Sequence, residues 1–265
     1  MKIKKALLLL ALVIAAAALV FVIQSRTGLK SEVILGGADG AFVNSDNLKK
    51  PLDDYDGRIE AEDKYKDLDF PNIDIEDWNY ILINSSHVIK DNTPDVSEVS
   101  DLGVTFDKRA INQLVGLIQA ARQAGFEPYL AKGYVSYTAA IQQINEEATK
   151  LTAGGRLSFE EAVKIATKNS ETPGTSDHQT ALGVDITDKQ YDEYDYSKMN
   201  AKFFEWLDEH CAEYGFIKRY PSDKSGITGV DEPYHYRYVG AVAAKFIMEN
   251  GMCLEEFVDH YDYQK

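Results

Sequence analysis

The pattern of apolar and polar positions divides the chain into three parts, and the first is an unbroken apolar run over residues 6–23. As a helix at about 1.5 Å per residue, the run would be about 27 Å long, close to the roughly 30 Å of a hydrocarbon core. Three lysines precede it, and basic flanks stay in the cytoplasm. We therefore predict a cytoplasmic basic end over residues 1–5, a transmembrane anchor over residues 6–23 and an extracytoplasmic remainder. A cleaved signal peptide is the alternative, which the position of the alanines inside the run disfavours.

The second part, residues 24–77, shows the period of neither a helix nor a strand. Small and polar residues dominate its beginning, and acidic residues outnumber basic ones from residue 46 onward. Pro51, Gly57 and Pro71 interrupt any regular element there. This composition predicts an acidic spacer, either a solvated tether or a segment that binds a partner.

The third part, residues 78–265, alternates between helical and strand-like patterns and is predicted to be one domain. Short apolar runs predict strands at residues 80–83, 128–131, 183–187, 216–220 and 234–239. Apolar positions at helical spacing, with polar caps before them, predict helices after Asp107, after Ser136, after Ser158, over residues 197–214 and over residues 241–250. Helices and strands do not alternate regularly. The pattern therefore predicts an α+β fold with a small antiparallel sheet flanked by helices, rather than a doubly wound sheet.

Composition narrows the possible partners. The formal net charge is −15, although residues 1–30 contain only basic charges, so the remainder of the chain is strongly acidic. Such a surface repels phosphate backbones, and we expect no nucleic-acid partner. The two cysteines, Cys211 and Cys253, leave two possibilities open: a disulfide outside the cytoplasm, or two buried thiols.

Two histidines have sequence neighbours that suggest a functional site. His178 ends a polar loop and precedes Asp185, a carboxylate in a predicted strand that needs a partner if it is buried. His235 follows Glu232 by three residues, in the next strand but one. Two imidazoles and one carboxylate are a ligand set for catalytic zinc, with a fourth position left for water and a second carboxylate as the base. The alternative is that each histidine is simply a hydrogen-bonded structural residue.

Beyond this chemistry, the sequence resembles a known family. Ser176-x-His178-Gln179-Thr180 through Asp185 is similar to the S-x-H-x(6)-D motif of zinc D-alanyl-D-alanine carboxypeptidases of the VanY type. The family's second block is matched by Tyr214-Gly215-Phe216-Ile217-x-Arg219-Tyr220-Pro221, Lys224, Thr228-Gly229 and Glu232-Pro233-x-His235-x-Arg237-Tyr238-Val239-Gly240. The resemblance implies the Hedgehog/DD-peptidase fold and one zinc ion held by His178, Asp185 and His235. It also implies Glu232 as general base and peptidoglycan stem peptides as substrate.

The resemblance is weaker where the substrate binds. The family's S-G-Y-R-S-x(3)-Q reads Lys132-Gly133-Tyr134-Val135-Ser136, with Gln142 further on. Val135 thus stands where an arginine normally meets the substrate carboxylate or the oxyanion, and Lys132 replaces a serine but could supply the lost positive charge. By analogy with the family, the expected substrate residues are Ser176, Gln142, Lys132, Tyr134 and Arg237. Ser176 could instead cap its loop, and Arg237 could orient the zinc ligands or form a surface ion pair.

Together these features predict a membrane-anchored, extracytoplasmic zinc carboxypeptidase that removes C-terminal D-amino acids, across a D,D or an L,D bond. The replacement at Val135 supports an alternative hypothesis, a peptidoglycan-binding or regulatory protein that keeps the zinc fold without turnover.

Overall fold

The computed structural model describes residues 64–90, 92–169 and 172–262, which all belong to one unit of the chain. The predicted basic end, the predicted anchor over residues 6–23 and most of the predicted spacer lie outside the described residues. Within the described ranges, no helix combines the length and apolarity that crossing a membrane requires.

The centre of the domain is a four-stranded antiparallel sheet with the strand order β3–β4–β6–β5, and a two-stranded hairpin, β1–β2, stands apart from it. The strands are β1 (Val96–Val99), β2 (Val104–Asp107), β3 (Tyr129–Lys132), β4 (Gly183–Thr187), β5 (Phe216–Tyr220) and β6 (Glu232–Tyr238). The helices are α1 (Ile111–Gln123), α2 (Tyr137–Thr152), α3 (Phe159–Asn169), α4 (Ala201–His210), the single turn α5 (Ser225–Thr228), α6 (Ala241–Glu249) and α7 (Leu254–Asp262). This confirms the predicted α+β class.

Local capping explains where two of the helices begin. The Ser136 hydroxyl accepts a hydrogen bond from the Ala139 N–H at 3.1 Å at the start of α2. Before α3, the Ser158 N–H donates to the Glu161 carboxylate at 2.9 Å, and the Glu161 N–H donates back to the Ser158 hydroxyl at 3.3 Å. Both caps satisfy N–H groups that have no partner inside the helix, as the sequence predicts.

Strand alternation gives the sheet one apolar face and one polar face. Val184, Ile186 and Tyr236 belong to the larger hydrophobic cluster, which also contains buried residues of α1 and α4. The residues between them, Asp185 and His235, point to the opposite face, because successive strand side chains alternate. The fold therefore collects buried polar groups on one side of the sheet.

The second hydrophobic cluster covers part of that polar face and includes residues of α6 and α7. The segment before the predicted domain boundary also packs there. Tyr65 is buried, the Tyr261 hydroxyl donates to the Pro71 carbonyl, and the Phe70 ring stacks on His260 with centroids 3.4 Å apart. The packed region thus extends at least to residue 65, rather than beginning at Trp78 as predicted. The acidic composition of this segment suggested a solvated spacer, although its apolar side chains pack against the second cluster.

Three local predictions differ from the structure. Residues 80–83 form no strand; a 3-10 turn, Trp78–Tyr80, leads into irregular chain, and the carbonyls of Asn79 and Ile81 accept hydrogen bonds from a buried arginine. The helix predicted over residues 197–214 is interrupted: α4 ends at His210, and a 3-10 turn follows. Asp107 ends β2 and binds the guanidinium of Arg109 instead of capping α1.

Candidate metal centre

Sheet pairing brings two of the predicted ligands together. Asp185 on β4 lies directly opposite His235 on β6 in the antiparallel register. Opposed residues of two paired strands project to the same face. The Nδ1 atom of His235 consequently lies 2.7 Å from Oδ1 of Asp185.

The third residue, His178, comes from a 3-10 turn, Asp177–Thr180, that leads into β4. The Ser176 hydroxyl caps this turn by accepting a hydrogen bond from the His178 N–H at 3.3 Å. Ala181 ends the turn with φ at +60°, a left-handed conformation that costs a non-glycine residue free energy. The strained turn directs His178 toward Asp185, with Nε2 3.4 Å from Oδ1.

These three side chains fit one zinc ion. Their ligand atoms all lie within 4.8 Å of one another, and all three residues are buried. The two imidazole rings stand nearly perpendicular, with centroids 4.6 Å apart. Ligands at 2.0–2.2 Å from a tetrahedral zinc lie about 3.4 Å apart, so the grouping needs only small adjustments to hold the ion and leaves one position open.

Gly183 makes room for the second histidine. A Cβ atom at this position would lie 2.7 Å from Nε2 and 3.0 Å from Cε1 of His235. Side chains essentially never approach so closely, and β4 therefore passes under the ring only because residue 183 has no side chain.

Carboxylates dominate the electrostatics of His235. Burial alone would lower its pKa, but Asp177 and Asp185 together raise the pKa to about 10. Burial would likewise raise the pKa of Asp185, yet the two histidines hold it well below its usual range. Without a metal, the site thus favours a protonated His235 between two carboxylates, and a bound cation would displace that proton.

Asp177 completes this arrangement and is the residue that the sequence reasoning did not identify. Its Oδ2 atom lies 3.4 Å from Nε2 of His235, on the side of the ring opposite Asp185. Metal-binding histidines commonly present their second nitrogen to such a carboxylate, which fixes the orientation of the ring. The only sequence signal was its place between Ser176 and His178 in the motif.

The structure places Arg237 behind the ligand group rather than in an open cleft. It is fully buried, and its Nη1 atom donates to Asp177 at 2.5 Å. Its remaining N–H groups donate to the carbonyls of Tyr238, Asn79 and Ile81. These contacts agree with the alternative in which Arg237 orients the ligands. They agree neither with contact to the substrate nor with a surface ion pair.

A bulge in β3 brings Lys132 to the metal face. Leu130 pairs with Ile186, but Lys132 pairs with Asp185, so one extra residue is accommodated in β3. In a regular ladder Lys132 would oppose Val184 and face the apolar cluster. The bulge moves it to the face that carries Asp185.

Position 135 lies close to the first histidine, since the Val135 N–H donates to the His178 carbonyl at 3.2 Å. The Tyr134 N–H donates to the Thr105 carbonyl, and burial raises the pKa of its hydroxyl. Gln142 lies on the exposed side of α2. Of the predicted substrate residues, Lys132 pairs with Asp185 and Ser176 caps the turn of His178, so both lie beside the ligand group. Tyr134 follows Lys132 by two residues, and Gln142 projects from α2.

Glu232 begins β6 and is partly exposed. It pairs with Tyr220 on β5, whose ring lies 5.1 Å from the ring of His235. The predicted base therefore stands at the border of the ligand group, where a substrate can reach it.

Comparison with known proteins identifies the family. The family model VanY, described as D-alanyl-D-alanine carboxypeptidase, matches residues 103–241. The chain belongs to this family. A D-alanyl-D-alanine carboxypeptidase of Enterococcus faecalis is 37% identical over 187 residues, which cover 70% of this chain and 68% of that protein.

Solved structures agree with the VanY assignment. A mutant of the vancomycin-resistance D,D-pentapeptidase VanY in complex with Zn(II) is 35% identical with a TM-score of 0.55, over 69% of this chain and 99% of that one. VanYB in complex with D-Alanine-D-Alanine is 36% identical with a TM-score of 0.56, over 69% of this chain and 98% of that one.

Two tyrosines of this VanY chain form a stacked pair. Tyr234 stacks on Tyr194 with ring centroids 4.9 Å apart. Tyr194 is 45% exposed, and burial together with the charge of Asp185 raises its pKa. Tyr234 itself packs against the larger hydrophobic cluster, on the face of β6 opposite His235.

Proposed function

We propose that this VanY-family protein is a zinc-dependent carboxypeptidase that removes C-terminal D-amino acids from peptidoglycan stem peptides. The observation that carries the proposal is the buried group of His178, Asp185 and His235, with all ligand atoms within 4.8 Å. Structural neighbours that bind Zn(II) and D-Alanine-D-Alanine support both the ion and the class of substrate.

Each protein group has a task in the proposed reaction. His178, Asp185 and His235 would hold one zinc ion, which when bound would supply a Lewis acid and lower the pKa of its water to about 7. Glu232 accepts the proton of the attacking water and delivers it to the amine that leaves, which is the free D-amino acid. Such proton transfer contributes about 10²- to 10⁴-fold to a rate.

Lys132 is proposed to bind the carboxylate at the end of the substrate. The β3 bulge aims it at the metal face, and a cation is required there because the protein surface is acidic and Val135 carries no charge. Ser176, Tyr134 and Gln142 would line the remainder of the peptide path. A lysine offers a single point of charge where an arginine offers a two-pronged fork, so we expect weaker orientation of the substrate.

A second candidate function rests on Val135. Loss of the arginine expected at this position would leave a peptidoglycan-binding or regulatory protein that keeps the ligand group without turnover. That function requires binding of muropeptides with no hydrolysis, and no gain from the substitution Val135→Arg.

One experiment separates the two. Zinc-loaded wild type and Glu232→Gln are incubated with muropeptides that carry pentapeptide or tetrapeptide stems, and the products are identified by mass spectrometry. The enzyme proposal expects loss of one D-alanine with the wild type and at least a hundredfold slower loss with Glu232→Gln. The stem that is shortened assigns the D,D or L,D bond. Binding without shortening by zinc-loaded wild type would overturn the enzyme proposal.

We further propose that residues 6–23 anchor the protein in the cell membrane, with the catalytic domain on the outer side. The apolar run and the lysines before it support this location. The full-length chain should remain in the membrane fraction after a carbonate wash and be digested by protease added outside the cell. Release by carbonate or protection from the protease would contradict the proposal.

A further inference from the structure

A chain of buried charges leads from the ligand group to the C-terminal helix. Asp177 contacts His235, and the guanidinium of Arg237 contacts Asp177. Nε of a second arginine, Arg219 on β5, lies 3.7 Å from Oδ1 of Asp177. Two further nitrogens of Arg219 donate to the carboxylate of Glu255 on α7, at 2.7 and 2.8 Å.

Every member of this chain is buried. Arg219 and Arg237 are 0% exposed, Asp177 is 1% exposed and Glu255 is 5% exposed. A buried charge is tolerated only when opposite charges and hydrogen bonds compensate it. Here two guanidinium groups balance two carboxylates, so each of the four depends on the other three.

The two guanidinium groups contact Asp177 unequally. Arg237 donates to it directly, whereas Nε of Arg219 stops at 3.7 Å and is without a hydrogen bond within the part of the chain that the structure describes. The other two nitrogens of the Arg219 guanidinium are engaged by Glu255. Both guanidinium groups thus approach Oδ1 of Asp177, whereas Oδ2 faces His235.

We propose that Glu255 sets the zinc affinity of a site that it does not touch, by holding Arg219 and so leaving Asp177 to orient His235. The inference rests on the proposed zinc function. Asp177 and Glu255 are positioning residues. Without the Glu255 charge, Arg219 turns toward Asp177 and competes with His235 for its carboxylate. The excess positive charge also disfavours a divalent cation nearby.

The chain offers a matched control in the next residue. Glu256 is also on α7, is 4% exposed and forms a buried ion pair with Lys224 at 2.8 Å. Its contacts run to Lys224, Tyr65 and the Cys253 N–H, away from Asp177. A purely structural role for buried acids on α7 would make the two substitutions equivalent.

The test measures zinc affinity by competition with a chromogenic chelator, using the full chain and the variants Asp177→Asn, Glu255→Gln and Glu256→Gln. We expect 10- to 100-fold weaker binding for Asp177→Asn, about 10-fold weaker binding for Glu255→Gln and a change of less than twofold for Glu256→Gln. Circular dichroism and the melting temperature of the metal-free proteins establish folding. If Glu255→Gln does not fold, Glu255→Asp replaces it, and weaker zinc binding is again expected, because the shorter side chain cannot keep both hydrogen bonds that hold Arg219.

Two results would overturn the inference: wild-type zinc affinity in the folded Glu255 variant, or an equal loss of affinity in Glu256→Gln. Either result leaves the proposed function standing if the wild type still releases D-alanine. Conversely, zinc coupling to Glu255 in a protein that releases no D-alanine would refute the function alone.

Discussion

Asp185 and His235 face each other across two paired strands, with Oδ1 of one 2.7 Å from Nδ1 of the other. Backbone hydrogen bonds between β4 and β6 fix this pair before any ion binds. The third residue, His178, sits on a strained turn that enters the same strand. Two of the three ligands are therefore built into the sheet, and rigid elements hold ligands more accurately than loops do.

The close passage of β4 beneath the histidine predicts the effect of a single methyl group. Gly183→Ala places a Cβ 2.7 Å from Nε2 of His235, so the ring must shift away from both carboxylates. We expect at least tenfold weaker zinc binding, measured by chelator competition. Gly154→Ala is the control, since a Cβ there meets nothing within 4 Å. Equal zinc affinity in the two variants would show that His235 is not held as described.

The proposed carboxylate site predicts opposite effects of two substitutions. Lys132→Ala should lower kcat/KM for a stem peptide about 10- to 100-fold, because a hydrogen bond to a charged group contributes about 1.5–3 kcal/mol. Adding Val135→Arg to that variant should restore part of the loss, since Val135 lies beside His178. For a substrate amidated at its terminal carboxylate, neither substitution should change kcat/KM. Unchanged kcat/KM in Lys132→Ala would remove this residue from the substrate site.

The two cysteines are predicted to be unreactive thiols. Both are free and fully buried, and burial raises the pKa of the Cys211 thiol to about 12. The described structure thus answers the question that the sequence left open in favour of two separate thiols. Native protein should take up no maleimide at pH 8, and denatured protein should take up two without prior reduction. Labelling of the native chain, or labelling only after reduction, would contradict this.

Much of the site followed from the sequence because strand alternation is simple. Val184 and Ile186 around Asp185 indicated a polar residue on the opposite face of a strand, and the motifs named its partners. The role of Asp177 was not predicted, because its place next to His178 in the sequence does not indicate that it contacts His235 in the structure. The β3 bulge was not predicted either, because one extra residue in a four-residue strand does not change the sequence pattern recognisably.

The fold itself was harder to predict where packing overrides pattern. Residues 80–83 have the composition of a strand, yet the Ile81 carbonyl accepts a hydrogen bond from the buried Arg237 instead of a strand partner. Residues 65–75 are acidic, yet their apolar side chains cover the second cluster. Helix α7 carries two buried acids, and their burial depends on Arg219 and Lys224, which lie more than 30 residues earlier in the sequence.

The most direct test of the account measures D-alanine release against bound zinc. Metal-free protein is titrated with zinc, and the rate of release from a pentapeptide muropeptide is recorded together with the bound metal. We predict that the rate rises in proportion to bound zinc and reaches its maximum at one ion per chain, with His178→Ala remaining inactive throughout. Release that is independent of zinc, or no release at full zinc occupancy, would contradict the assignment of this group as a catalytic metal centre.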